Sequence, residues 1–272
     1  MKENKILISI LVPTYNRVKY LEECLDSITE QEGFDLKELE LIVSDNSEWN
    51  ETKDFMNNYI EKHKNWTIEY NKNKKNLWMV WNRNKLLEIK KGEYFIFLSD
   101  DDKFYDKNSL RLLYDNLLKY KLDVCYGKYR VIDWEWNDKW DFEPHTKIKS
   151  NQEIYYDTFD EQLKCHSISF WWILYRSFGY KYDKKSKRFT DWHMNLQYLY
   201  NWKKVWLINY YTFYYRMHDS NDSNTIPSRF RIKFLLYRCI YFNKYKYLFN
   251  ETMRLLRFKI KNLIKNKYLI NL

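Results

Sequence analysis

The sequence predicts an α/β fold, with a mainly parallel central sheet flanked by helices. Three observations carry this. Short, continuous apolar runs recur through the first 120 residues, they alternate with segments whose apolar positions repeat at helical spacing, and polar or acidic clusters follow the runs directly. Such alternation argues for βαβ units and a parallel sheet, whose strands are buried on both faces.

Ile6 to Val12 is the first buried run and is expected to be a strand. Leu21, Cys24, Leu25 and Ile28 then fall at i, i+3, i+4 and i+7, one face of a helix. Leu39 to Val43 is the second strand, and Phe55, Met56, Tyr59 and Ile60 mark the second helix. Trp66 to Tyr70 alternates as a short strand. Asn82 to Lys91 predicts a helix closed by Gly92 in a left-handed cap. Tyr94 to Leu98 is the next strand, and Leu110, Leu113, Tyr114, Leu117 and Leu118 mark the next helix. Beyond residue 120 the pattern loosens. Val124 to Trp136 and Val205 to Tyr215 predict strands, Ser167 to Tyr175 a buried segment, and Trp192 to Trp202 a helix.

Hydrophobic residues make up 45% of the 272 and aromatics 20%, which excludes a disordered chain. Cys24, Cys125, Cys165 and Cys239 stand far apart, which argues against a zinc knuckle or redox pair and suits a reducing cytosol. No secretion signal and no apolar run of about 18 residues is present, so a cytoplasmic location is expected. The net charge of +10 is uneven. Residues 226–272 carry +11, leaving the first 225 at −1. A soft boundary at Ile226 and Pro227 therefore separates a first domain, 1–225, from a basic amphipathic helical tail, 226–272. Within the domain, 1–120 holds the regular alternation and 121–225 the looser pattern.

In open parallel sheets, ligands bind beyond the carboxyl ends of the strands. The strongest signal there is Ser99-Asp100-Asp101-Asp102, directly after Tyr94 to Leu98. Adjacent carboxylates repel and resist burial. A divalent cation shared with a diphosphate resolves both costs, and Mg²⁺ and Mn²⁺ prefer such oxygen ligands. The bland alternative is an exposed acidic turn or a helix cap.

Val12-Pro13-Thr14-Tyr15-Asn16-Arg17, Val43-Ser44-Asp45-Asn46-Ser47, Asn76 with Asn82-Arg83-Asn84, Lys91-Gly92-Glu93-Tyr94 and Phe97-Leu98-Ser99-Asp100-Asp101-Asp102 occur in the order and spacing of one family. Over about its first 120 residues the chain resembles the family 2 glycosyltransferases. Its Ser-Asp-Asn-Ser stretch resembles abequosyltransferase-like members. Two departures stand out. Ser99 occupies the usual first Asp of the metal motif (DXD), and bulky Leu77 to Trp81 replaces a stretch often rich in glycine.

The resemblance implies a GT-A fold, a nucleotide-diphosphate sugar donor with UDP favoured, Mn²⁺ or Mg²⁺, and an inverting transfer to a glycan or lipid-linked acceptor in bacterial surface polysaccharide or lipopolysaccharide synthesis. Carried over position by position, Pro13, Thr14, Tyr15, Arg17, Asn76, Arg83, Asp100 and Asp101 join the nucleotide-sugar site. Asp45 would accept a hydrogen bond from a pyrimidine N–H, or else cap the helix before Thr52. Arg83 meets the donor or is a surface helix arginine. Asp102 would ligate the metal.

An inverting transfer needs a carboxylate base. Asp191, in Thr190-Asp191-Trp192, is the best match, with a helix cap as the alternative and Asp183 and Asp157 in reserve. In Tyr215-Arg216-Met217-His218, His218 is a candidate third metal ligand, and Arg216 or His218 a candidate to neutralise the leaving diphosphate. Trp134, Trp136, Trp140, Trp171 and Trp172 are candidates for sugar stacking, although most tryptophans must be core. The tail would hold the protein peripherally on an anionic inner membrane face. Nucleic acid is a poorer partner for it, since the first 225 residues are near neutral; a nucleic-acid module, a nucleotidyltransferase and a non-catalytic sugar-nucleotide binder are the competing readings.

Overall fold

A computed structural model of the chain describes residues 5–133, 135, 137–142, 154–156, 172–184 and 190–217. These all lie in one compact unit, Met1–Ser220. The first half builds β1 (Ile8–Thr14), α1 (Val18–Thr29), β2 (Leu39–Asp45), α2 (Glu51–Lys62), β3 (Thr67–Lys72), α3 (Trp78–Ile89), β4 (Tyr94–Phe97), β5 (Lys103–Phe104) and α4 (Ser109–Lys119). The second half adds β6 (Val124–Ile132), β7 (Asp138–Phe142), β8 (Ile154–Tyr156), β9 (Leu174–Arg176), α5 (Thr190–Tyr200) and β10 (Val205–Arg216).

The strands form one sheet in the order β3-β2-β1-β4-β9-β6-β10-β5, with β7 added to β6 and β8 to β10. β1 pairs in parallel with both β2 and β4, and β2 with β3. The expected parallel sheet is therefore present, with its carboxyl ends brought together. β9 runs antiparallel between β4 and β6 and joins the halves. β10 returns to a parallel pairing with β6, irregular between Leu207 and Phe213. Gly127 sits at that irregularity: a Cβ there would lie 2.4 Å from Thr212 Oγ1, so only glycine lets β10 approach.

Period-two alternation assigns the strands' side chains to two cores. Ile8, Ile10 and Val12 of β1 pack with Leu21, Cys24, Leu25 and Ile28 of α1 on one face. Leu11, Ile42, Phe95 and Phe97 pack with Val80 and Leu86 of α3 and Met194 and Tyr198 of α5 on the other.

Three details correct the sequence reading. α3 begins at Trp78, four residues before the expected start, so the bulky stretch forms its first turn. Gly92 is not a left-handed cap: the helix closes at Lys90 in extended backbone. Gly92 is needed because a Cβ would lie 2.6 Å from the Ser9 backbone nitrogen, where its N–H meets Ser9 Oγ at 2.8 Å. Leu118, placed on the buried face of α4, is exposed. Among the described residues no helix is long and apolar enough to cross a membrane. The tail, 226–272, lies outside the described residues.

Candidate functional site

The loops after β1, β2 and β4 meet at one end of the sheet. Asp100, in the turn that follows β4, reaches back to the end of β1. Its Oδ2 accepts from Thr14 Oγ1 at 2.7 Å and from the Tyr15 backbone N–H at 3.4 Å. Arg17, just before α1, donates to Asp101 at 2.6 Å and reaches Asp100 at 3.4 Å. Asp102 accepts the backbone N–H of Arg216, at the end of β10, at 2.9 Å. The Arg216 guanidinium pairs with Glu23 of α1 and lies 4.8 Å from the Tyr20 ring centre. The end of β10 is thus tied to the acidic turn, 114 residues away in sequence.

Asp100, Asp101 and Asp102 are all buried. Burial, and then the neighbouring Asp101 carboxylate, push the Asp100 carboxyl up to about 7. The same two causes raise Asp102 well above the usual carboxylate range. These are the energetics of acids packed together with too little positive charge. Carboxylate oxygens are the donors a hard divalent cation such as Mg²⁺ or Mn²⁺ prefers, but among the described residues no group of three or more acidic, histidine or cysteine side chains is arranged to hold a metal ion.

The end of β2 is built differently. Asp45 is fully buried, and its carboxylate accepts from Ser47 N–H at 2.6 Å, Tyr70 OH at 2.7 Å and Lys72 Nζ at 2.9 Å. It does not cap α2, whose N-terminal residue Asn50 makes no side-chain cap. Around it runs an amide network that sequence reasoning missed. Asn82 Nδ2 donates to the Ser44 carbonyl, while its Oδ1 accepts from Ser44 Oγ at 2.6 Å and from Asn73 Nδ2 at 3.0 Å. Asn73 also donates to Asn46 Oδ1. The available signal was the cluster of asparagines around the ends of β2 and β3, at 46, 71 and 73, with Asn82 on the helix that follows.

Pro13 is the penultimate residue of β1, in register with Ser44 of β2. Asn76 is exposed, and its Oδ1 takes the Trp78 N–H at 2.8 Å at the start of α3. Arg83 is not a surface arginine: it is 1% exposed and lies between the rings of Phe97 and Tyr182, at 5.8 and 5.6 Å. Asp191 falls in the first turn of α5, but its side chain, like His218, Asp157, Trp134, Trp136 and Trp171, lies outside the described residues, as does the Trp140 side chain. Trp172 is core, stacked at 5.5 Å on Phe213.

The family model described as "Glycosyl transferase family 2" matches residues 9–184. Abequosyltransferase RfbV of Salmonella typhimurium is 40% identical over 113 residues, which are 40% of this chain and 32% of that protein. The GalNAc(5)-diNAcBac-PP-undecaprenol beta-1,3-glucosyltransferase of Campylobacter jejuni is 36% identical over 35% of this chain and 30% of its own length. The chain thus spans about a third of these curated relatives. The structure of S. aureus TarS 1-349 with UDP-GlcNAc superposes with a TM-score of 0.65 at 18% identity, covering 82% of this chain and 62% of that one. The fold is therefore of the GT-A type, as the motifs implied.

Proposed function

Since this chain belongs to glycosyl transferase family 2, we propose that it transfers a sugar, with inversion, from a nucleotide-diphosphate donor to a hydroxyl of a glycan or lipid-linked acceptor in bacterial surface polysaccharide synthesis. The observation that carries the reading is the buried Asp100–Asp102 turn, tied to Thr14, Tyr15 and Arg17 at the end of β1. A site rich in buried acid has little use for a diphosphate by itself, but suits one carrying a divalent cation. Mn²⁺ or Mg²⁺ bound there would offset charge on the diphosphate as it leaves.

The chain's own residues do the rest. Thr14, Tyr15 and Arg17 border the nucleoside, and Asp45 offers its remaining acceptor capacity to a pyrimidine N–H. The neighbour that binds UDP-GlcNAc favours uridine. Asp191 takes the acceptor hydroxyl's proton as that oxygen attacks the anomeric carbon. The relative acting on an undecaprenol-linked substrate supports a lipid-linked acceptor. The +11 tail fits an anionic membrane surface. Its removal should abolish sedimentation with phosphatidylglycerol vesicles, and unchanged sedimentation contradicts that role.

The test is product analysis with UDP-glucose, UDP-galactose and UDP-GlcNAc over membranes containing undecaprenyl-linked glycans. Release of UDP supports transfer, whereas release of pyrophosphate supports a nucleotidyltransferase. The Asp191→Asn variant should keep donor binding and lose at least ~100-fold in rate. Near-normal turnover in that variant reduces Asp191 to a helix cap.

A further inference from the structure

Nine large apolar side chains are exposed among the described residues, and four of them, Tyr15, Trp49, Trp78 and Trp81, belong to the site end of the sheet. Tyr15 follows β1, Trp49 follows β2, and Trp78 and Trp81 occupy the first turn of α3. Trp78 is 76% exposed, and its indole makes no hydrogen bond or ring contact among the described residues. Its backbone is also strained, at φ +62, in the left-handed region that disfavours a bulky residue.

Two side chains hold this conformation. Asn76 Oδ1 accepts the Trp78 N–H at 2.8 Å, and Asn46 Oδ1 accepts the Leu77 N–H at 3.2 Å. Asn46 also receives Asn73 Nδ2, and its own N–H donates to the Thr14 carbonyl. The loop carrying Trp78 is therefore fixed to the same residues that build the strand-end site. Folding alone gives no reason for a tryptophan here. Glycine or asparagine would relieve the backbone and bury nothing less.

We propose that Trp78 and Trp81 form a stacking platform for a pyranose ring of the acceptor glycan, an inference that rests on the glycosyltransferase reading above. Both exposed indoles belong to the first turn of α3, three residues apart in the chain. An indole face is apolar and electron-rich and complements the C–H face of a sugar, while Lys184, whose ammonium lies 5.7 Å from the Trp81 ring centre, suits hydroxyl groups. The occupant is the acceptor because the platform lies outside the buried Asp45–Asn46–Asn73 network. The fixed backbone fits an oriented ring better than a membrane anchor, which needs no set orientation.

The full chain and its Trp78→Gly, Trp78→Asn and Trp81→Ala variants are titrated with cellohexaose, chitohexaose and maltohexaose, with and without UDP and Mn²⁺, and read by saturation-transfer NMR. At least one oligosaccharide should bind the parent protein and lose ~10-fold in affinity in each variant. Trp78→Gly should meanwhile melt at the same or a higher temperature, with an unchanged shift on adding UDP and Mn²⁺. A purely structural tryptophan would instead lower the melting temperature. The proposal falls if the parent binds none of the three, if Trp78→Gly binds equally well, or if Trp78 matters only for sedimentation with phosphatidylglycerol vesicles. Tryptophan-dependent sugar binding without any UDP response would overturn the donor reading while leaving the platform in place.

Discussion

The ends of β2 and β4 both carry buried aspartates at the same end of the sheet, yet they solve the cost of burial in opposite ways. Asp45 receives a backbone N–H, a tyrosine hydroxyl and a lysine ammonium, the last also bound to the Ser47 carbonyl at 2.6 Å. Asp100, Asp101 and Asp102 lie against Arg17, the Thr14 hydroxyl and the backbone N–H groups of Tyr15 and Arg216, with the Arg216 guanidinium also acting on Asp102. The first cluster is satisfied within the chain. The second is left acid-rich, and burial, followed by the neighbouring carboxylates, pushes two of its carboxyls up. The difference separates an end whose carboxylate the chain neutralises before any ligand arrives from an end whose carboxylates call for an outside cation.

The same substitution should therefore have opposite effects at the two ends. The largest change is expected from Asp102→Asn. It should cost at least ~100-fold in Mn²⁺-dependent UDP affinity, beyond what a residue merely supporting a metal ligand costs. The metal-free variant should melt higher than the parent, because a poorly neutralised buried carboxylate is gone while the Arg216 N–H keeps an acceptor. Calorimetry with UDP and Mn²⁺, beside melts in EDTA, reads both. A lower apo melting temperature would erase the contrast.

Asp45→Asn should do the reverse and destabilise the apo protein by about 1–3 kcal/mol, since Lys72 and Tyr70 lose a charged acceptor. Urea unfolding measures this, and a neutral result would show that the β2 end is not held by its carboxylate. Smallest is the pH response. Asp100 is raised from 3.8 to about 7 in the folded chain, so its contribution to stability is fully present below pH 3.8 and is lost as pH rises through 7. Apo melts between pH 4 and 7.5 should show this loss relative to Asp100→Asn. UDP with Mn²⁺ should restore stability at the upper end. Parallel curves for parent and variant would remove Asp100 from the under-neutralised set.

Much of the nucleotide half was legible because local and global signals agree there. Leu21, Cys24, Leu25 and Ile28 are all buried, and β1 and β2 lie where their apolar runs end in motif residues. The strand-end rule located Thr14, Asp45 and Asp100 without knowledge of their contacts. What was illegible depends on distant partners or on very short elements. β5 has two residues and exists only through its pairing with β10. The contact between Arg216 and Asp102 and that between Glu23 and Arg216 join positions 114 and 193 residues apart, which no periodicity encodes. The burial of Arg83 is not encoded locally, because its cover, Phe97 and Tyr182, comes from two other segments. Gly92 was misread because its neighbour across the sheet, Ser9, rather than its own helix, demands the missing side chain.

The most direct test of a cation-dependent nucleotide site at the end of β4 is a thermal melt of the full chain with UDP, in Mn²⁺ and in EDTA. UDP with Mn²⁺ at 100 times its dissociation constant should add about 2.7 kcal/mol of stability, and EDTA should abolish the gain. Equal stabilisation by UDP in EDTA, or no stabilisation by any nucleoside diphosphate in Mn²⁺, would contradict it.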